Sequence, residues 1–374
     1  MHHVLNALLP PLLPFIRRDF SLNYTRVGFV ISVFSLAYGA SQLLAGWLAD
    51  RIGPRISMTI GIVGVAIAGL FVGLSQTYIM MLVFLVLMGF VGGGYHPSAP
   101  PLISQMVDPK NRGRTLGLHQ TGGSASFLVT PLLAAALATA WGWRGSFISL
   151  AVITMIFGVI FYILLGRREG TAETSHKNTD SFQEGAQPQG QWHRLIILIF
   201  MSTFVAAMVV SVGAFIPLYM VDHFGVSEEQ AAVFVAILYS TGIVTSPLGG
   251  YLSDRLGTVP IIIGASLIAG PVIFLLNLAP YGWGVSIVLI VMGMTLFLRL
   301  AAAESYIISH TSAQSRSTIF GVYYFCSMES GGVLTPVIGY LIDKFGFYLS
   351  FTIMGATTVA VSLICIMFLR SSRS

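Results

Sequence analysis

GWLADRIGPR at 46–55 and GYLSDRLGTV at 250–259 are one pattern written twice, 204 residues apart. Gly46, Asp50, Arg51 and Gly53 of the first copy align with Gly250, Asp254, Arg255 and Gly257 of the second. An acid–base dipeptide held in identical glycine spacing, in a chain that is otherwise mostly hydrocarbon, points to an internal duplication. The same offset also pairs Met88-Gly89 with Met292-Gly293, Gly117 with Gly321, and Trp141-Gly142-Trp143 with Phe345-Gly346-Phe347.

Composition sets the solvent. Only 9% of the 374 residues are charged, 55% are hydrophobic and mean hydropathy is +0.83. A water-soluble domain carries about 25% charged residues, so the chain reads as an all-α polytopic membrane protein that sits in a lipid bilayer. Apolar runs of spanning length fall at about 1–16, 25–49, 56–75, 78–104, 114–140, 144–165, 194–220, 229–252, 259–279, 283–309, 317–341 and 347–369. The one long polar stretch, 166–193, has almost no aliphatic residues and reads as a linker. The expected organisation is a six-helix half over 1–165, the linker over 166–193, and a second six-helix half over 194–374. Residues 1–16 would make a helix of only ~24 Å, short of the ~30 Å hydrocarbon core. Part of the first helix is therefore expected upstream of Met1, and Pro10, Pro11 and Pro14 are expected to make its outer end irregular.

The Lys and Arg residues divide unequally between the two sets of connections. Thirteen lie on the side of Arg51 and Arg55, and five (Arg17, Arg18, Arg26, Arg144, Lys344) on the other. That bias places the Asp-Arg loops, the linker and both termini in the cytoplasm, in a cell membrane of the prokaryotic inner-membrane kind. The net charge of +5 is thus a topology signal and not a nucleic-acid footprint. Cys326 and Cys365 both lie in apolar runs and read as free thiols.

The motif G-x-L-A-D-R-x-G-x-R between spans two and three resembles the signature loop of the major facilitator superfamily. The twelve spans, the central linker and the 6+6 repeat agree with that resemblance over the whole chain. Gly92-Gly93-Gly94-Tyr95-His96-Pro97, with Arg112-Gly113-Arg114 and Gly117-Leu118-His119, also looks like the fosmidomycin-resistance efflux branch. The chain lacks the R-x-x-x-G-x-G arginine of many drug–proton antiporters on span four and their Gly-Pro pair on span five. The superfamily implies two pseudo-symmetric six-helix bundles with spans 1, 4, 5, 10 and 11, which carry the polar groups, among the cavity-facing helices, and 3, 6, 9 and 12 toward lipid. It also implies that the repeated loops latch the halves together when the outward side is open, with Asp50 meeting the positive N-terminus of span eleven, near Arg316, and Arg114; Arg51 and Arg55 can pair across the cytoplasmic face. The simpler alternative is a charge pair that marks topology.

Ionisable groups inside the membrane are costly, so their placement is informative. Spans 3, 6, 9 and 12 have none in their interiors. Glu329 lies about 13 residues into span eleven, a depth that suits a group loading and unloading a proton, or a structural acid. Arg299 in span ten cannot discharge and needs an anionic substrate or a salt bridge to Glu304 or Glu329. Its repeat counterpart is Tyr95, beside His96, which can relay protons, bind substrate or simply pack. His119 reads as structural, His2, His3 and Asn6 as cavity-facing, and Tyr219, Tyr323 and Tyr324 as cavity lining.

The expected activity is secondary active transport by alternating access around a midplane site. The favoured version is proton-coupled efflux of a small organic compound, anionic in one form. Proton-symport uptake of an organic anion is the alternative. No phosphate-binding glycine loop or hydrolase motif occurs, so neither ATP coupling nor an enzyme is expected. A membrane-embedded enzyme or a non-transporting sensor is the reading of another class. Neither a cofactor nor a metal is implied; the partners are a small-molecule substrate, protons and lipid, and the chain is expected to work as a monomer.

Overall fold

The computed structural model describes residues 2–107, 112–169, 191–310 and 313–371. Most of the linker lies outside these ranges, as do the side chains of Asp50, Arg114, Arg316, Tyr324 and Glu329 inside them. Every described element is helical. In chain order these are α1 (His2–Asn6), α2 (Leu9–Phe20), α3 (Tyr24–Ile52), α4 (Pro54–Leu74), α5 (Tyr78–Gly92), α6 (Tyr95–Met106) and α7 (Arg112–Glu169). The second half holds α8 (Gln191–Phe224), α9 (Glu228–Ser240), α10 (Gly242–Leu256), α11 (Thr258–Leu275), α12 (Trp283–His310) and α13 (Ala313–Ser371). Seven described helical stretches are long and apolar enough to cross a membrane, and Thr121–Gly166 and Gly331–Leu369 have length for two crossings each.

The duplication is written in the backbone. Gly53 (φ 85°, ψ 150°) and Gly257 (φ 86°, ψ 149°) end α3 and α10 in the same left-handed turn, which a Cβ would strain. Gly142 (φ 73°, ψ 165°) and Gly346 (φ 72°, ψ 175°) break α7 and α13 at matching points, between spans five and six and between eleven and twelve. Ser21 and Gly225, again 204 apart, both take positive φ. Two residues later Asn23 caps α3 by accepting from Arg26 N–H, as Ser227 caps α9 by accepting from Gln230 N–H.

The first span differs from its sequence reading. It is two helices, α1 and α2, and it continues to Phe20 instead of stopping near residue 16. Pro10 and Pro11 sit in the first turn of α2, where missing N–H groups cost nothing. The irregularity therefore falls between α1 and α2 and not at the outer end. Arg17, Arg18 and Asp19 extend the helix because each finds a partner at its water-facing end. Helix α7 likewise runs into the stretch read as linker, to Glu169, and α8 starts at Gln191.

The helices expected to face lipid carry large exposed apolar side chains: Ile60 and Phe71 on α4, Ile156 and Ile160 on late α7, Ile268 on α11, and Ile364 and Phe368 on late α13. The halves meet along α3 with α13 and α7 with α9. Along the first seam the backbones nearly touch, since a Cβ on Gly28 would sit 2.6 Å from Pro336 Cα.

Candidate functional site

The N-terminal half gathers four imidazoles and two phenols from α1, α3, α6 and α7. The glycine run at 92–94 divides span four into α5 and α6, and α6 opens on Tyr95 and His96. The His2 ring stacks on Tyr95 with centroids 4.3 Å apart, and Tyr95 stacks on His119 at 5.9 Å. His3 lies 5.2 Å from His96, and His2 and Tyr38 each lie 6.2 Å from it. As an acceptor, His2 Nε2 faces the Tyr38 hydroxyl at 3.2 Å and the Asn6 amide nitrogen at 2.9 Å. His2 is 2% exposed, whereas His96 is an exposed residue. His119, read from sequence as merely structural, is part of this cluster. Tyr38 was not singled out at all, because one tyrosine in an apolar span has no distinguishing signal until its partners are known.

The C-terminal half holds Arg299, which is 0% exposed. Its Nη1 donates to the Ser202 carbonyl and to the Ser202 hydroxyl (2.5 Å) on α8. The Tyr323 hydroxyl, 3.5 Å from Ser202 Oγ, lies beside the guanidinium. Nε and Nη2 have no hydrogen-bond partner among the described residues. Of the two carboxylates offered as salt-bridge partners, Glu304 stands five positions along the same helix, on a different face, and the Glu329 side chain is outside the described residues; no carboxylate among the described residues pairs with Arg299. The Arg299–Tyr323 pair falls, at the 204-residue offset, on Tyr95–His119. Both halves thus place a polar pair at the same point of the repeat.

Between the halves lies a cavity of about 160 Å³, lined by Asn6, Ser35, Phe127, Val210 and Tyr239 among others. Asn6 joins it to the imidazole cluster. A larger hollow of about 580 Å³ opens at the far rim around Arg17, Asp222 and Glu228 and lies away from both clusters. Two tyrosines expected to line the cavity do not. Tyr219 is 2% exposed, donates to the Leu276 carbonyl at 2.8 Å and packs among His223, Phe347 and Phe351. Tyr323 is fully buried beside Arg299.

At the repeated loops, Arg51 lies over Trp47 (4.0 Å) and Arg255 over Tyr251 (4.8 Å), the same i,i+4 cation–π contact in each copy. Arg55 donates to the Tyr162 carbonyl at 2.9 Å and so ties the first loop to α7. The contacts proposed for Asp50 with Arg114 and Arg316 fall on side chains outside the described residues. Asp254 is exposed.

On the opposite side, polar contacts fasten the halves together. Arg17 and the Tyr24 hydroxyl both donate to Asp222 Oδ2, at 2.5 and 2.7 Å. Arg18 pairs with Glu228 at 2.9 Å. Asp343 accepts from the N–H groups of Tyr24 (2.9 Å) and Thr25 (2.8 Å) and from the Thr25 hydroxyl (2.5 Å), which caps α3 from the other half. Burial first, and Asp222 second, push the Tyr24 phenol above its usual range. A raised phenol stays protonated and donating through neutral pH, and the contact is lost only as pH climbs past that raised value. Sequence reading counts Arg17 and Arg18 only as span-end charges; their partners lie 205 and 210 positions away.

A family model described as the Major Facilitator Superfamily matches residues 1–336. The chain is 26% identical over 366 residues to a "Probable sulfoacetate transporter SauU" of Cupriavidus necator, covering 92% of this chain and 85% of that one. It is 26% identical over 326 residues to "Multidrug resistance protein MdtG" of Salmonella arizonae, covering 86% and 79% respectively. Its fold is similar to that of a bacterial homologue of the human lysosomal transporter Spinster, with TM-score 0.79, 18% identity, and coverage of 100% of this chain and 94% of that one.

Proposed function

We propose that this chain, which belongs to the Major Facilitator Superfamily, carries a small organic anion across the membrane with protons, by alternating access. It is a membrane transporter and not an enzyme, as its family and relatives are. The observation that carries the anionic reading is Arg299, a fully buried guanidinium with two free nitrogens and no carboxylate paired to it among the described residues. Such a charge is costly to hold unpaired, and a carboxylate or sulfonate entering between the halves would neutralise it in a forked contact. Size argues the same way. The central cavity of about 160 Å³ is well below the ~300 Å³ lower bound of drug-sized pockets.

In this reading the fastened side is extracellular and the chain faces inward, with the repeated loops and both termini cytoplasmic. The loops then act as the latch of the opposite state, and a monomer suffices for transport. The titratable groups within the spans from which proton coupling can draw are the four clustered histidines or, in their place, Glu304 and Glu329. Efflux is the second reading, favoured by the likeness to a multidrug resistance protein.

Purified protein in liposomes, given radiolabelled sulfoacetate and a panel of short carboxylates and sulfonates, tests the proposal. Saturable, mutually competitive uptake driven by an inward proton gradient is expected. Flux of neutral or cationic compounds alone would overturn the anionic reading, and accumulation only under the reverse gradient would select efflux.

A further inference from the structure

We propose that His2, His3, His96 and His119 together form the site where the coupling proton is held, one proton shared by four imidazoles. This rests on the proton-coupled reading above and says which half of the protein does the coupling. The N-terminal half offers nothing else. Its carboxylates are Asp19, Asp50 and Asp108, every one at a span end, so no acid lies inside its six spans. The titratable side chains inside those spans, apart from phenols, are these four histidines, and the structure brings all four together from three different stretches of chain.

Geometry assigns them different parts. His96 lies at the start of α6 and has the largest exposed surface of the four imidazoles, His2 being buried and His3 and His119 half-buried, which makes it the entry point for the proton. His3, 5.2 Å away, is its nearest imidazole neighbour and can share the proton. His2 is buried, and its Nε2 is occupied by the Tyr38 hydroxyl and the Asn6 amide. It anchors the cluster while neutral, and Asn6 leads from it to the central cavity. The transfer is a bare proton movement: hydronium gives its proton to a His96 ring nitrogen and leaves as water, and a water molecule takes the proton back from the same cluster as hydronium once the open side has changed.

The surroundings limit the load to one charge. From α3 the facing titratable group among the described side chains is Tyr38, while Arg51 is turned onto Trp47 and the Asp50 side chain is outside the described residues. From α4 the one cation is Arg55, bound to the Tyr162 carbonyl. Helix α6 adds Tyr95, and α7 adds His119 and Phe127, its Arg112 and Arg114 side chains being outside the described residues. From the other half, α9 presents Tyr239 against Phe127. No anion among these compensates a second imidazolium, and like charges a few ångströms apart exclude one another.

Two measurements decide the matter. Liposomes with an internal pH indicator give the ratio of protons to sulfoacetate entering together, a quantity independent of how slow a variant has become. The ratio is expected to fall toward zero in H96N and H119N and to persist in E304Q and E329Q; an unchanged ratio in the histidine variants, or its loss in E329Q alone, overturns the proposal. Nitrogen-15 NMR of histidine-labelled protein in lipid, with His176, His193, His223 and His310 replaced by Gln, needs neither substrate nor a site variant. Titrated between about pH 8 and 5, it is expected to show one imidazolium per molecule. None, or more than one, sinks the shared-proton site. Absence of any anion flux would overturn the transport reading while leaving this titration as the judge of the cluster.

Discussion

Arg299 poses a sharp question at the scale of one residue, because a structural arginine and a substrate-binding one predict opposite effects on stability. A guanidinium retained for packing has its nitrogens satisfied, and removing it costs stability. Here, among the described residues, Nη1 is bonded to Ser202 and the Tyr323 hydroxyl lies beside the guanidinium, while Nε and Nη2 have no hydrogen-bond partner. Replacing a buried, poorly compensated charge by an apolar side chain of similar length is neutral or stabilising, by up to about 4 kcal/mol. Arg299→Met is therefore expected to leave the melting temperature unchanged or raised while abolishing anion uptake; a lowered melting temperature in the same lipid would return Arg299 to a structural role. Arg299→Lys keeps the charge but loses the fork and is expected to bind anion more weakly by about 2 kcal/mol or more, roughly 30-fold. The sequence showed that this residue is costly and needs a counter-charge, because depth and charge are local properties. Ser202 was not legible, since a serine 97 positions away in an apolar span resembles every other helix-packing serine.

Between elements, the two Asp-Arg loops are equal in backbone and unequal in attachment. Both end a helix on a left-handed glycine and both fold the arginine over the aromatic ring four residues earlier. The first loop also has Pro54 in the opening turn of α4, and Arg55 bound to the Tyr162 carbonyl of α7. Thr258 and Val259 stand at those positions in the second loop and supply no such tie. The first loop is thus held to a neighbouring helix. Asp50→Asn is expected to slow transport more than Asp254→Asn, measured as initial uptake rates at matched protein density; equal losses would remove the asymmetry. This level of the fold was the most readable. Left-handed turns demand glycine and helix starts favour Asn and Ser, so duplication left matched residues where the backbone is special. The first span was misjudged because three prolines read as breakage, while two of them sit in the one turn where proline fits.

For the whole molecule, the strength of the fastened side must suit a machine that opens again. Arg17 and Asp222 keep 29% and 27% of their side chains exposed, and Arg18 keeps 72%. Exposed pairs of this kind contribute about 0.2–1 kcal/mol each, and the Asp343 cap on α3 about 1 kcal/mol. Their sum is a few kcal/mol, the size of a gap between conformations that both remain populated. A buried, fully satisfied network would lock the protein instead. Asp222 and Asp343 are the shared acceptors, so removing both strips the closure without touching either polar cluster. The variant carrying Asp222→Ala and Asp343→Ala is expected to shift the balance toward the state open on this side by about 2 kcal/mol, roughly 30-fold. Spin labels at positions 26 and 344, with Cys326 and Cys365 replaced by Ala, report that opening as a longer distance population in pulsed electron resonance. Raising salt should move the intact protein partway in the same direction, since pairs this exposed are screened. A distance distribution indifferent both to the double substitution and to salt would mean that the α3–α13 seam, where Gly28 meets the backbone at Thr335 and Pro336, holds this side shut by packing alone.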